Sequence, residues 1–147
     1  SYTTPDDFKA NLAKFITESR SKKAIPILIT PVARRKFDSS GKIEETHAAY
    51  TQLVKDVALQ YKIPLIDLDS LSQQLLQQMG PETSKYLYNH LSSGENPHYP
   101  EGRADDTHFS ELGARKMAGI VLHNIQSLHL ELADRIRGVS QKEINDK

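Results

Sequence analysis

Apolar positions alternate along the chain between helical spacing and short unbroken aliphatic runs. Phe8, Leu12, Phe15 and Ile16 recur at the helical period. Thr4-Pro5-Asp6-Asp7 ahead of them reads as a helix start, with a capping hydroxyl, a proline suited to the first turn and two acids that complement the positive helix end. This predicts a first helix ending near Lys22. The run Ala24 to Thr30, AIPILIT, is short and rich in β-branched residues, the pattern of a buried strand with proline near its start, and Pro31 closes it. After a polar loop from Arg34 to Gly41, the positions Tyr50, Leu53, Val54, Val57, Ala58 and Tyr61 trace one stripe of a second helix that begins about Glu44. Ile63 to Leu68, IPLIDL, repeats the Ile-Pro-aliphatic formula and predicts a second buried strand. Asp69 is then placed to cap a third helix carried by Leu71, Leu75, Leu76 and Met79.

Gly80-Pro81 punctuates that helix, and the spacing of Tyr86, Leu87 and Leu91 predicts another helical piece from Pro81 to about Leu91. Ser92 to Thr107 holds prolines, glycines and few aliphatics, the composition of a long irregular loop. Ser110 caps a last helix that would turn Leu112, Met117, Ile120, Val121 and Ile125 inward. Residues 127–147 read as a helical or frayed tail. Helix, strand, helix, strand, helices is the order of an α/β protein whose parallel sheet is covered on both faces. Two strands are fewer than open sheets usually contain, so further strands are expected upstream of Ser1.

The chain has 147 residues, 37% hydrophobic and 26% charged, the size and balance of one folded domain, and no boundary divides residues 1–147. Nineteen basic side chains balance nineteen acidic ones, which argues against a nucleic acid or an anionic membrane as partner. Absence of cysteine removes disulfides and thiolate chemistry. No apolar run reaches the roughly 20 residues that span a bilayer, and SYTTPDDFK lacks the basic-then-apolar order of a signal peptide. A start at Ser1 rather than methionine leaves localisation open.

The densest chemistry lies in RADDTHFS, Arg103 to Ser110. Asp105 and His108 are separated by two residues, a spacing at which a turn can set the carboxylate against one imidazole nitrogen and leave the other free to take a proton from a hydroxyl. The plainer alternative is a turn-capping aspartate beside a surface histidine. His98, Glu101, Asp105, Asp106 and His108 also offer the donor types of a divalent-metal site, though without a helical His-x-x-x-His frame. His47, His90, His123 and His129 fall on predicted helices. Arg34, Arg35 and Lys36 form a basic triplet, either solvated or aimed at an acidic sugar. Tyr86, Tyr88 and Tyr99 could stack on a sugar ring or simply pack.

The run Asp105 to Ala114, DDTHFSELGA, resembles the last sequence block of the SGNH, or GDSL-type, hydrolases, and in particular their rhamnogalacturonan acetylesterase branch. The resemblance extends to Pro26–Arg34 (PILITPVAR), Lys62–Leu68 (KIPLIDL) and Tyr99–Gly102 (YPEG), and covers about Tyr2 to Ile125. It implies a three-layer α/β/α, flavodoxin-like fold lacking its N-terminal strands, so that the chain would be the C-terminal portion of the domain. It also implies a serine-esterase mechanism acting on acetylated, pectin-like polysaccharide, with His108 as base, Asp105 as its orienting acid, no cofactor and no metal. Asp106 falls at the variable position between them and is expected to be a solvated loop acid. Secretion or a periplasmic location follows from the resemblance alone. The family's Gly-Asp-Ser nucleophile block, second-block glycine and Gly-x-Asn-Asp block have no counterpart here. Ser39, Ser40, Ser93 and Ser110 lack the strand-to-turn setting of a nucleophile. The expectation is therefore a chain that is inactive alone and is completed by an N-terminal segment. A non-catalytic carbohydrate-binding or interaction module is the alternative.

Overall fold

The computed structural model describes residues 3–136. Helix α1 spans Pro5–Ser21, with Thr4 Oγ1 accepting from Asp7 N at its start. Strand β1 is Leu28–Ile29, helix α2 Ala48–Tyr61 and strand β2 Leu65–Ile66. Helix α3 follows at Leu68–Thr83, a 3-10 turn at Ser84–Leu87, strand β3 at Tyr88–Leu91, strand β4 at Arg103–Phe109 and helix α4 at Glu111–Ser127. A second 3-10 turn covers Glu131–Arg135. The rest of the expected tail, from residue 137, lies outside the described residues.

Strands β1 and β2 pair in parallel, Leu28 with Leu65 and Ile29 with Ile66. The pleat sends these two pairs to opposite faces. Leu28 and Leu65 pack against a core of Ile16, Val57, Ala58 and Ile63 from α1, α2 and the approach to β2. Ile66 is buried on the other face, where α4 contacts β2. Its partner Ile29 is 42% exposed, so β1 stands as an open edge. A second core joins Ala33, Leu76, Leu87, Tyr88 and Met117, drawing α3, α4 and the antiparallel β3–β4 pair together.

The α/β class agrees with the sequence reading, and four local expectations change. Gly80, at φ 73°, ψ 174°, kinks the helical run as expected, and helical turns continue to Leu87, but residues 88–91 form a strand rather than a helix because β4 offers partners. Asp67, not Asp69, caps α3, accepting from Ser70 N. Asp69 is buried in the first turn and accepts from Thr51 Oγ1 and Gln73 Nε2. Helix α2 starts at Ala48 rather than Glu44. On the faces predicted to turn inward, Phe15 and Leu112 are exposed, whereas Ile16 and Met117 carry the burial.

Candidate functional site

The segment read as irregular loop is a loop as far as Gly102, and from Arg103 it is strand β4, which forms a hairpin with β3. Arg103, Ala104 and Asp105 pair with Leu91, His90 and Asn89, and then the register jumps: the next pair is Phe109 with Tyr88. Asp106, Thr107 and His108 are left without opposite residues, forming a bulge that bends β4 sharply. In a regular strand, residues three apart project from opposite faces. The bulge instead folds His108 back on Asp105.

The resulting geometry is tight. Asp105 Oδ1 accepts the backbone N–H of Thr107 at 2.8 Å and of His108 at 2.9 Å. Its Oδ2 accepts His108 Nδ1 at 2.8 Å, and Arg103 Nη2 at 2.6 Å with Nε at 3.2 Å. The carboxylate side chain is 11% exposed, whereas the His108 side chain is 73% exposed. Because an ionised carboxylate only accepts, Nδ1 carries the hydrogen and Nε2 presents its lone pair outward. Among the described residues no hydrogen bond occupies Nε2. An imidazole held this way can take a proton from a group brought to its outer edge.

Electrostatics keep Asp105 charged. The backbone N–H of His108, then that of Thr107, then the Arg103 side chain hold its carboxyl far below the usual carboxylate range. A depressed pKa adds stability above the unfolded-state value of about 3.9, and that stability is lost as pH falls through the folded value. In urea titrations the wild-type chain should therefore exceed Asp105→Asn in stability at pH 7. The difference should shrink progressively below about pH 4. An unchanged gap at pH 3 would contradict this assignment of the ionised form.

Asp106 is exposed, as expected from the sequence, but it is also paired. Its Oδ1 accepts both Arg35 Nη1 at 2.6 Å and His90 Nε2 at 2.7 Å. Arg35 in turn leaves the basic triplet: its side chain is 10% exposed, its Nε donates to Ser84 Oγ at 3.1 Å, and its Nη2 donates to the Pro81 carbonyl. Arg35 N also donates to the Asp106 carbonyl at 3.0 Å. This cluster ties the loop after β1 to β4, to β3 and to the end of α3, at the residue next to Asp105. Only Arg34 and Lys36 of the triplet face solvent.

The other candidates separate cleanly. Ser110 Oγ accepts from Gly113 N at 3.1 Å and donates to the Tyr86 carbonyl at 2.6 Å, so it is a helix cap as expected. Ser40 Oγ donates to Asp38 and Ser93 Oγ to the Pro100 carbonyl. Tyr88 is buried with its hydroxyl on the Ala33 carbonyl at 2.9 Å, whereas Tyr86 is 72% exposed. Of the four histidines assigned to helices only His123 lies on one. His47 precedes α2, His90 is on β3 and His129 follows α4 in a left-handed turn. Among the described residues no three His, Asp or Glu side chains converge to hold a metal ion. Sequence reasoning missed Arg103. Its signal is the i, i+2 spacing to Asp105, which places both on one face only once the segment is known to be a strand.

No family model matches the chain. It is 39% identical over 136 residues, 92% of its length, to the rhamnogalacturonan acetylesterase RhgT of Bacillus subtilis (strain 168). It is 35% identical, again over 92% of its length, to the probable rhamnogalacturonan acetylesterase YesY of the same strain. The chain spans 59% and 58% of those two proteins. Its backbone matches the crystal structure of the B. subtilis protein YxiM with a TM-score of 0.72 and 25% identity, over 88% of this chain and 33% of that one. It matches the crystal structure of a lipase/acylhydrolase from Enterococcus faecalis with a TM-score of 0.53 and 24% identity, over 87% of this chain and 54% of that one. The likeness to this last structure is one of fold.

Proposed function

We propose that this chain, which belongs to the SGNH-type hydrolases of the rhamnogalacturonan acetylesterase-like branch, supplies the general base and its orienting acid to a carbohydrate O-acetylesterase. The observation that carries this reading is the Asp105–His108 hydrogen bond of 2.8 Å with an outward-facing Nε2. The names of the two curated relatives point to an acetylated rhamnogalacturonan as substrate.

In the proposed cycle a serine hydroxyl attacks the acetyl carbonyl, His108 Nε2 takes the hydroxyl proton, and Asp105 stabilises the imidazolium that forms. Collapse of the tetrahedral intermediate passes that proton to the departing sugar oxygen and leaves an acetyl-serine. Water then attacks the acetyl-enzyme with His108 again as base, releasing acetate and restoring the serine. The serine and the oxyanion donors come from a segment outside residues 1–147. Strand β1 pairs with β2 alone among the described residues, and Ile29 on it and Ile25 just before it are exposed, which supports a further segment packing there. Alone, the chain should hydrolyse no ester beyond the rate of free imidazole.

The test is acetate release from acetylated rhamnogalacturonan by the complete natural protein that contains this chain. Release that disappears in His108→Ala is the expected result. Binding of the polysaccharide without release would replace the esterase with a carbohydrate-binding module. Rapid hydrolysis of p-nitrophenyl acetate by the 147-residue chain, surviving His108→Ala, would overturn the assignment of the base.

A further inference from the structure

Asp105 does not serve His108 alone. The oxygen that receives His108 Nδ1 also receives both Nη2 and Nε of Arg103, while the other oxygen is filled by two backbone N–H groups. All the acceptor directions of the carboxylate are thus engaged, and it has no freedom to rotate away from the imidazole. Arg103 is itself held from behind: its guanidinium lies over the Tyr99 ring, 4.9 Å from the centroid. Tyr99 is fixed by the hairpin loop, where Gly102 N donates to the Tyr99 carbonyl and Gly94 N to the Pro100 carbonyl. Gly102 makes this turn possible. It adopts φ 82°, and a Cβ there would fall 2.6 Å from the Leu91 carbonyl oxygen.

We propose that Arg103, seated on Tyr99, is a positioning residue that acts on His108 through the shared oxygen of Asp105, fixing the carboxylate and limiting how much of its negative charge the imidazole draws on. A base that must take a proton and then give it up works best when neither state is over-stabilised. An unshared Asp105 would hold the imidazolium too firmly. Arg103 corrects this by placing a permanent cation on the same oxygen. Other charged groups near the pair have partners of their own. Arg35 and His90 bind Asp106, and Glu111 at the start of α4 is paired with Arg115. Of the acids and lysine that line one cleft with Arg103, Glu82 pairs with Lys85 and Glu95 accepts from Ser92 N.

The consequence for catalysis rests on the esterase reading, but the electrostatic claim is read on the 147-residue chain with no ester present. The His108 ring is followed by NMR across pH in wild type, Arg103→Met, Arg103→Gln and Arg103→Lys, with Asp105→Asn as reference. Removing the guanidinium charge should raise the pH at which the His108 ring titrates by about one unit in both neutral variants. Arg103→Lys, which keeps the charge, should stay near wild type, and Tyr99→Leu should shift in the same upward direction by less. A packing role alone would not move the titration in this charge-dependent order. An unchanged midpoint in the neutral variants, with Asp105→Asn lowering it, overturns the proposal. So does loss of the folded spectrum in both neutral variants, which would assign Arg103 to the framework. Failure of acetate release by the complete protein would leave this result standing and remove only its catalytic meaning.

Discussion

On the proposed esterase reading, Asp105→Asn should lower turnover by the complete protein about ten-thousandfold with little change in KM. The reason lies in which oxygen does what. Oδ1 accepts two backbone N–H groups, so the asparagine must keep its carbonyl there. Its amide nitrogen then takes the place of Oδ2, where it faces two donors, Arg103 Nη2 and His108 Nδ1. To accept from the amide, His108 must give up the hydrogen on Nδ1 and carry it on Nε2. That is the tautomer with no lone pair to offer a hydroxyl. Substrate contacts are untouched, so the loss falls on turnover. The measurement is steady-state acetate release by the complete protein, variant against wild type. A loss below tenfold would show that orientation of the imidazole by Asp105 contributes little.

Gly113→Ala should lower stability by about 3 kcal/mol and the melting temperature by roughly 6–12 °C. Gly113 lies in the first turn of α4, and a Cβ built on it would fall 1.8 Å from the Leu87 carbonyl oxygen, with further Leu87 backbone atoms within 3 Å. Backbone cannot swing aside as a side chain can, so α4 has to move away. Movement breaks the Ser110 N to Leu87 carbonyl bond of 3.1 Å and the Ser110 Oγ to Tyr86 carbonyl bond of 2.6 Å. The damage therefore reaches the residues that immediately follow His108. Gly119→Ala on the same helix is the control: no atom lies within 4 Å of its Cβ, and alanine is the better helix former. It should leave stability unchanged or raise it by about 0.5–1 kcal/mol. Thermal melts of the two variants with the wild type check both values. A Gly113→Ala melt within 2 °C of wild type would show that the helix start yields without cost.

What the sequence made legible depended on how local the cause was. Thr4, Ser110 and the stripe of Val54, Val57 and Ala58 act within a few residues of themselves, and each of the three helices formed where predicted, apart from the later start of α2. The helical reading of residues 81–91 failed because Tyr86, Leu87 and Leu91 also suit a turn leading into a strand. The choice was made by β4, a distant partner whose own sequence, Arg-Ala-Asp-Asp-Thr-His-Phe, shows no apolar alternation. The Asp-x-x-His spacing was visible, and the structure brings the two side chains together. The Arg35–Asp106–His90 cluster was not visible, since it joins three separate segments. A basic triplet looks the same on paper whether its middle residue faces solvent or the interior.

The bulge in β4 also bears on when the pair comes into being. Asp105 and His108 are three positions apart, and their contact needs only the bulge and the hairpin that carries it. Closing so short a span costs little chain entropy, whereas Leu28 can meet Leu65 only after α2 has been threaded between them. The Asp105–His108 pair should therefore form early in folding, before the slower parallel pairing of the sheet, and pulse-labelling hydrogen exchange at the His108 and Leu28 amides would show the order.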